Sequence, residues 1–238
     1  MTTTSLGALT TSRLAYGCMT LGGLARSAAE AAVDTALDGG VTLFDHADIY
    51  SGGRSEQLFG EILADRPGLR ERLVLQTKCG IRPADEHGPK RYDLTYDHIV
   101  ASAEGSLRRL GTDHVEVLLL HRPDPLMKAA EVARAFDDLA ASGKVGAFGV
   151  SNLSVAQFDR LAAAVGRPLV ANQIQLSLGH LGPVEAGVEV NTARSAPGAD
   201  DLLDGSAARG TRLQAWAPTA GGAFSRDDVA PEHAEVAG

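Results

Sequence analysis

Short apolar runs recur along the chain, and the segments between them carry apolar residues at helical spacing. The run at residues 41–44 is continuous and ends in Asp45, which is typical of a buried strand. Two later runs end in Lys78 and in His121. The pattern predicts seven strands, at residues 13–19, 41–45, 73–78, 115–120, 146–150, 169–174 and 212–216.

The intervening segments predict helices. Ser27 and Glu30 have capping-box spacing, which predicts a helix that begins at Ser27 and stops at Gly39. Two stretches, 79–90 and 177–199, lack either pattern. The other predicted helices are one that carries Leu58, Ile62 and Leu63, one from Asp93 or Thr95 to Gly111, and those at 129–141, 154–166 and 199–208. This alternation predicts parallel βα units in a single α/β domain spanning residues 1–238.

The pattern provides one strand fewer than a closed barrel of such units requires. An eight-stranded α/β barrel takes about 250 residues, and the segment after Trp216 contains no further apolar strand. We therefore expect a barrel that lacks its eighth βα unit. Its first and seventh strands would each have an unpaired edge, through which copies of the chain could associate.

Four polar side chains follow the predicted strands, at the rim where the chemistry of α/β barrels takes place. Asp45, Lys78 and His121 end three different strands, and Tyr50 lies in the loop after Asp45. A lysine ammonium stabilises a phenolate, so Lys78 could assist proton donation by Tyr50, whose ordinary pKa is about 10. Asp45 could keep Lys78 charged, and His121 could orient a carbonyl oxygen.

Each of these residues alone has a simpler structural interpretation. The aspartate could cap a helix, the tyrosine could pack, the lysine could be solvated and the histidine could lie in a turn. Their common position on successive βα units favours a shared site. The flanking residues His46 and Asp48 are interpreted first as loop residues and only second as lining the site.

Composition narrows the function classes. The net charge of −8 argues against non-specific nucleic-acid binding, which requires a basic face. Two cysteines, Cys18 and Cys79, are too few for a disulfide framework. We see no apolar run of about 18 residues that would span a membrane and no signal-peptide pattern. A cytoplasmic enzyme or binding protein is the resulting expectation.

Several motifs, taken in order, resemble the aldo-keto reductase family. His46 and Trp216 are similar to the bacterial monomeric branch of that family. The resemblance covers about residues 9 to 222. Its motifs are Phe44-Asp45-x-Ala47-Asp48-x-Tyr50, Ser55-Glu56-x-Leu58-x-Gly60, Thr77-Lys78, Leu107-Arg108-Arg109-Leu110-Gly111, Leu118-Leu119-Leu120-His121-Arg122-Pro123 and Gly143-Lys144-Val145-Gly146-x-x-Gly149-Val150-Ser151-Asn152.

The resemblance implies a (β/α)8 TIM barrel that binds NADPH without the Rossmann glycine fingerprint, and no such fingerprint follows a predicted strand. It also implies reduction of an aldehyde or ketone by hydride transfer. Tyr50 would donate the proton, Lys78 and Asp45 would support it, and His121 would orient the substrate carbonyl. No metal is implied. The residues implied to bind the cofactor are Ser151, Asn152 and Gln173 at the carboxamide, Trp216 at the ring, and Ala217, Pro218, Thr219 and Gly221 near the pyrophosphate.

The chain departs from the family pattern at its C-terminal end. Ala217 replaces a frequent serine, and Ala220 interrupts the usual glycine run. Nothing after residue 222 matches the family's site for the adenosine phosphate; Arg226 and His233 are the cationic candidates there. Three outcomes are therefore open: an open barrel with weak cofactor binding, an oligomer that covers the edges, or an inactive product.

Three other functions compete with carbonyl reduction. One is a degenerate barrel that binds nicotinamide or a partner without catalysis. Another is a lyase that forms a Schiff base at Lys78. A metal hydrolase is disfavoured because the first strand has no His-x-His pair and no cluster has ligand spacing.

Overall fold

The computed structural model describes residues 2–86, 88–190 and 201–225, which contain eleven strands and seven α-helices. The strands are β1 (Thr3–Leu6), β2 (Leu9–Ser12), β3 (Ala15–Gly17), β4 (Leu43–Asp45), β5 (Val74–Cys79), β6 (Ile81–Arg82), β7 (Arg91–Tyr92), β8 (Val115–Leu120), β9 (Val145–Ser151), β10 (Leu169–Gln175) and β11 (Arg212–Trp216). The helices are α1 (Arg26–Asp38), α2 (Arg54–Ala64), α3 (Tyr96–Leu110), α4 (Ala129–Ala141), α5 (Val155–Val165), α6 (Gly182–Val188) and α7 (Leu202–Ala208).

Seven of the strands form one parallel sheet in the order β3-β4-β5-β8-β9-β10-β11. The sheet curls into the incomplete barrel that the sequence predicts, so the predicted fold class and the seven strands are confirmed. Within the described residues, β3 and β11 each pair with one neighbour only. None of the helices described is both long enough and apolar enough to cross a membrane.

Apolar side chains cluster on both faces of this sheet. The larger cluster lies between the strands and the helices and includes Phe44, Phe59, Phe136 and Phe148. A smaller one contains Leu6, Val117, Leu119, Val170 and Ala171. Because strand side chains alternate between faces, the inward positions of β5 and β8 point into the barrel while their neighbours pack on helices.

An N-terminal hairpin, which the sequence analysis did not predict, supplies part of the smaller cluster. Strands β1 and β2 pair in antiparallel fashion, and Leu6 at the turn is 1 % exposed. Gly7 follows with φ +60°, and a Cβ there would lie 2.6 Å from Val170 Cγ1. Arg212 on β11 donates hydrogen bonds to the Ser5 carbonyl and hydroxyl oxygens. The hairpin is therefore in contact with β10 and β11 at one edge of the sheet.

The capping box predicted at Ser27 and Glu30 is wrong. Helix α1 begins one residue earlier, with Ala25 at the N-cap and no side-chain cap. Glu30 instead accepts a hydrogen bond from Arg26 Nε at 2.9 Å, an i,i+4 pair on the exposed face. A capping box does form at α5, where Ser154 and Gln157 bond each other's backbone amides.

Both stretches that lacked a pattern contain regular structure. Within the predicted loop 79–90 and just beyond it, β6 and β7 form a two-residue antiparallel ladder. The stretch 177–199 contains α6, whereas residues 191–199 lie outside the described part of the chain. The helix predicted at 199–208 is seen from Leu202 to Ala208. These short elements carry too few residues to give a recognisable period.

Helices α2 and α3 approach closely at Gly60. A Cβ on Gly60 would lie 2.3 Å from the Arg109 carbonyl oxygen and 2.8 Å from the carbonyl carbon of Leu110. The absent side chain therefore permits the close crossing of these helices, which brings Arg109 within reach of Glu56 on α2.

We expect Gly60→Ala to destabilise the fold by about 1–3 kcal/mol, since overpacking against backbone cannot be relieved by a rotamer change. Urea unfolding measures the effect. Gly187→Ala on α6 is the control, because the added Cβ would lie 3.8 Å from Asp201 Oδ1, an ordinary contact distance. Equal stability of the two variants would contradict the close helix crossing.

Candidate active site

The Lys78 ammonium group is the centre of the candidate site. The Lys78 side chain is fully buried. Its Nζ donates hydrogen bonds to Asp45 Oδ2 at 2.7 Å, to the His46 carbonyl oxygen at 2.8 Å and to Tyr50 Oη at 3.1 Å. An ammonium has three hydrogens, so all of them have partners. The structure thus brings together three of the residues that the sequence placed at one rim.

Adjacent strands produce this contact. Asp45 ends β4, and its register partner on β5 is Gln76, two residues before Lys78. Side chains two residues apart on a strand share a face, so Gln76 and Lys78 both point towards Asp45 inside the barrel. Tyr50 begins a short 3₁₀ turn after β4, which returns its hydroxyl to the strand ends.

Burial and charge act in opposite directions on the pKa values here. Burial raises the pKa of Tyr50 above its ordinary value of 10.0, and the nearby Lys78 charge only partly opposes this. The predicted effect of Lys78, which favours the phenolate, is present, but burial outweighs it in the net shift of the Tyr50 pKa. Burial lowers the pKa of Lys78, but Asp45 and Tyr50 outweigh it, so that pKa is raised. At neutral pH the phenol and the ammonium are both protonated.

His121, directly after β8, lies beside Tyr50. The two rings meet edge to face with centroids 5.9 Å apart. Burial, with Lys78 as the next contributor, lowers the pKa of His121 to about 3, so the imidazole is neutral. Its Nδ1 is buried without a partner in the described part of the chain. A neutral ring at this place can donate one hydrogen bond to a ligand.

A partly buried ion pair supports β5 from its other face. Thr77 points away from the barrel, and its hydroxyl donates to Glu56 Oε1 at 2.6 Å. Arg109 on α3 donates to Glu56 Oε2 at 2.8 Å, and the Glu56 side chain is fully buried. This contact attaches β5 to both α2 and α3. Sequence reasoning quoted Glu56 and Arg109 within motifs but gave them no role.

His46 and Asp48 lie in the loop after β4, as the sequence predicts, and both side chains are turned inwards. His46 is fully buried, its ring packs edge-on against Phe59 at 4.7 Å, and burial lowers its pKa to about 3. Asp48 donates its backbone amide to the Lys78 carbonyl oxygen at 3.0 Å. Burial, and then the charge of Glu56, raises the pKa of the Asp48 carboxyl to about 7. Both residues therefore pack behind the site.

A second polar group lies at the ends of β9, β10 and β11. Ser151 Oγ donates to the Gln173 carbonyl oxygen at 2.9 Å, and Asn152 Nδ2 donates to Ser151 Oγ at 2.7 Å. Asn152 has φ +61°, which turns its side chain at the strand end. Trp216 Nε1 donates to Asn152 Oδ1 at 3.0 Å, and the Arg122 guanidinium lies 5.7 Å from the Trp216 ring centre. The four residues assigned to the nicotinamide by resemblance are thus neighbours.

The loop after β11 has an unusual backbone. Ala217, Ala220, Gly221 and Gly222 all have positive φ, and Pro218 and Thr219 between them are exposed. Backbone amides in such turns can form concave anion sites. Arg226 and His233, the cations considered for the adenosine phosphate, lie outside the described residues. In the described part of the chain, no group of three or more His, Cys, Asp or Glu side chains could hold a metal.

Sequence reasoning missed a chain of glutamines inside the barrel. Gln76 Nε2 donates to Asp45 Oδ1 at 2.6 Å and to Gln214 Oε1 at 2.9 Å. Gln173 Nε2 donates to the same Gln214 oxygen at 3.1 Å. The signal available in the sequence was Gln76, a polar residue in an apolar strand, two positions before Lys78 and therefore on the same face.

Comparison with known proteins places this geometry in a family context. The model of the aldo/keto reductase family matches residues 13–236. The chain is 46 % identical over 174 residues to a 6-dehydroglucose reductase of Agrobacterium fabrum, which covers 70 % of the chain and 59 % of that protein. It is 43 % identical over 198 residues to the oxidoreductase YdhF of Escherichia coli, covering 82 % of the chain and 62 % of YdhF.

Solved structures show the same fold. The aldo-keto reductase AKR11C1 from Bacillus halodurans, in its holo form, matches with a TM-score of 0.80 at 26 % identity. That match covers 97 % of this chain and 71 % of the other. The chain spans about six tenths of the length of the two relatives named above.

The buried Asp48 carboxyl predicts a pH-dependent contribution to stability. Its folded pKa of about 7 lies above the unfolded value of about 3.9, so the protonated form favours folding. That contribution is complete below about pH 4 and is lost as the pH rises through about 7.

Asp48→Asn removes this titration. We expect the stability of the variant relative to wild type to increase by about 1–3 kcal/mol between pH 5 and pH 8. Urea unfolding of both proteins at the two pH values measures the change, and any constant effect of the substitution cancels. The same difference at both pH values would show that the carboxyl does not titrate in this range.

Proposed function

This chain belongs to the aldo-keto reductase family, and we propose that it reduces an aldehyde or ketone with NADPH, using Tyr50 as the proton donor. The observation that carries the proposal is the fully buried Lys78 ammonium, which donates to both Asp45 and Tyr50. This arrangement suits an oxygen that must receive a proton as it becomes an alkoxide.

Tyr50 can lose its proton because the positive charge of Lys78 is already in place to stabilise the phenolate. A phenolate formed at Tyr50 Oη would lie 3.1 Å from the Lys78 ammonium, which already donates a hydrogen bond to it. Asp45 and the His46 carbonyl oxygen hold the ammonium in place. Preorganised charge of this kind stabilises developing charge without rearrangement of the site. Burial, which raises the pKa of Tyr50, keeps the donor protonated until the substrate accepts the proton.

His121 would position the substrate. Its neutral imidazole lies against the Tyr50 ring, so a ring N–H and Tyr50 Oη would approach the same carbonyl oxygen. Two donors on one oxygen fix its orientation and polarise the carbonyl bond. The substrate class is therefore a small carbonyl compound.

NADPH, when bound, supplies the hydride. Ser151, Asn152 and Gln173 would hold its carboxamide, and Trp216 would cover one face of its ring. The polar atoms present fit an amide ligand, because they include both donors and acceptors at adjoining strand ends. Asn152 Oδ1 would exchange its bond from Trp216 for one from the ligand. The amides of Ala217, Thr219 and Gly221 would face the pyrophosphate, and the choice of NADPH over NADH rests on the family resemblance.

Location and assembly are part of the same proposal. The two cysteines, Cys18 and Cys79, are free and buried, which suits a reducing cytoplasm. The acidic net charge disfavours nucleic acid as a partner. Association of copies would use the edges of β3 and β11, which each lack a second neighbour in the described residues.

A second candidate is a barrel that binds a partner or nicotinamide without turnover. The bond from Trp216 Nε1 to Asn152 Oδ1 favours it, because that bond occupies an acceptor that the carboxamide would use. NADPH fluorescence separates the two candidates. Quenching with turnover supports the reductase. Quenching without turnover supports the nicotinamide-binding alternative, and neither quenching nor turnover supports the partner-binding one.

Tyr50→Phe tests the proton donor. We expect kcat/KM for a reactive aldehyde to fall by about 10²–10⁴-fold, because general acid catalysis is lost while the ring remains. NADPH oxidation followed by absorbance measures the rate, and circular dichroism checks the fold. Tyr96→Phe is the matched control, since it removes a hydroxyl that bonds Asp138 on the helical surface. Wild-type rates in Tyr50→Phe would remove Tyr50 from the reaction.

A further inference from the structure

Three glutamine side chains cross the barrel interior and end on the Asp45 carboxylate. Gln173 and Gln214 are register partners on β10 and β11, so they share a face. Gln76 lies on β5, three strands away from β10 in the sheet order. Gln76 and Gln214 exchange two hydrogen bonds, Nε2 to Oε1 at 2.9 Å and Oε1 from Nε2 at 3.0 Å. This pair spans the interior rather than following the sheet.

Asp45 fixes the direction of the whole chain of bonds. An ionised carboxylate only accepts, so the Gln76 amide must turn its NH₂ group towards Asp45 Oδ1. The second hydrogen of that NH₂ group then goes to Gln214 Oε1, and the Gln76 oxygen accepts from Gln214 in return. Gln214 Oε1 has a second lone pair, which accepts from Gln173 Nε2. The three amides therefore have one consistent arrangement.

The two oxygens of Asp45 have different partners. Oδ2 accepts from Lys78 Nζ, and Oδ1 accepts from Gln76 Nε2. Asp45 is 8 % exposed and Gln76 is fully buried, so water cannot readily replace the amide. Without Gln76, the carboxylate would be free to rotate and would share its charge less directly with Lys78.

We propose that Gln76 is a positioning residue that holds Asp45 against Lys78, and that the Gln76–Gln214–Gln173 chain connects this support to the strands that carry the proposed nicotinamide site. The proposal rests on the proposed function for its effect on turnover. The physical claim about Lys78 does not depend on turnover. Gln173 belongs to the proposed cofactor site, and Trp216 lies two residues after Gln214 on the same strand. The amide chain therefore joins the proton donor's support to the cofactor's side of the barrel.

The other titratable groups near Lys78 must be included in any test. Tyr50 and Asp45 bond it directly, His121 and His46 are buried neutral imidazoles next to it, and Cys18 on the β3 side has a pKa raised by burial. None of these is changed when Gln76 becomes an apolar residue of similar volume. A shift in the titration of Lys78 would then report the loss of the amide.

Gln76→Met keeps the length of the side chain and removes its donors. We expect kcat to fall by about ten- to a hundredfold, the range for a hydrogen bond to a charged group, while the dissociation constant for NADPH changes less than about twofold. The alkaline limb of the pH–rate profile should move to lower pH, because Lys78 keeps its charge less well. Gln214→Met removes the three hydrogen bonds of Gln214 but leaves the bond from Gln76 to Asp45, so a smaller shift in the same direction is expected.

A measurement without turnover separates this inference from the proposed function. The chain contains four lysines, Lys78, Lys90, Lys128 and Lys144, so NMR of ¹³C-labelled lysine gives few signals, and Lys78→Met assigns the buried one. We expect the Lys78 midpoint to fall in Gln76→Met. No reductase activity in the wild-type protein, together with a lower Lys78 midpoint in Gln76→Met, would reject the proposed function and retain the inference.

The control is Thr211→Val, directly before β11, which removes a buried hydrogen bond to the Leu169 carbonyl oxygen at the opposite end of the strand from Trp216. It should lower stability without moving the Lys78 midpoint. If Gln76→Met does not fold, Gln214→Met, with its half-buried side chain, carries the test. An unchanged Lys78 midpoint in the folded glutamine variants, or an equal shift in Thr211→Val, would overturn the proposal.

Discussion

A buried ammonium group needs a partner for each of its hydrogens, and the arrangement around Lys78 meets this requirement. Removing a charge from water costs several kcal/mol unless opposite charge and hydrogen bonds replace the water. Asp45 supplies the charge, and the His46 carbonyl oxygen and Tyr50 supply the other acceptors. Their positions depend on the register of β4 against β5 and on the turn that follows β4.

The two faces of β5 explain how the fold supports that ammonium. On the inner face, Gln76 and Lys78 contact Asp45. On the outer face, Thr77 bonds Glu56, which pairs with Arg109 across the close helix contact at Gly60. The strand is thus fixed by a carboxylate on either side, and both carboxylates have charged partners. The packing of α2 and α3 against β5 therefore also affects the position of Lys78.

Sequence patterning was sufficient for the parts of the fold that bury continuous apolar runs. The strands at 73–78, 115–120 and 169–174 are nearly as predicted, because buried parallel strands are apolar on both faces. The β1–β2 hairpin was missed because its threonines and serines give no such run. Ser27 was misplaced because Arg26, four residues before Glu30, also has the spacing of a helical ion pair with it, and that pair formed instead of the capping box.

Prediction of the site was limited by distance along the chain. Strand ends indicated where Asp45, Lys78 and His121 would lie, since parallel strands bring their carboxyl ends to one rim. The contact between Gln76 and Gln214 joins residues 138 positions apart, and no local pattern specifies it. The net pKa shift of Tyr50 was also out of reach, because its largest contribution is burial by the surrounding chain. The effect of Lys78 on the Tyr50 pKa could be predicted from the sequence, whereas the effect of burial on that pKa could not.

The arrangement around Lys78 is proposed to allow hydride transfer to a carbonyl carbon, with Tyr50 as the acid. The most direct measurement uses NADPH that carries deuterium at the reacting nicotinamide carbon, together with a reactive aldehyde and the purified protein. Mass spectrometry of the alcohol should find deuterium on the former carbonyl carbon for wild type, and almost none when Lys78→Met is used in equal amount. An undeuterated product, or no product while NADPH is bound, would contradict the account.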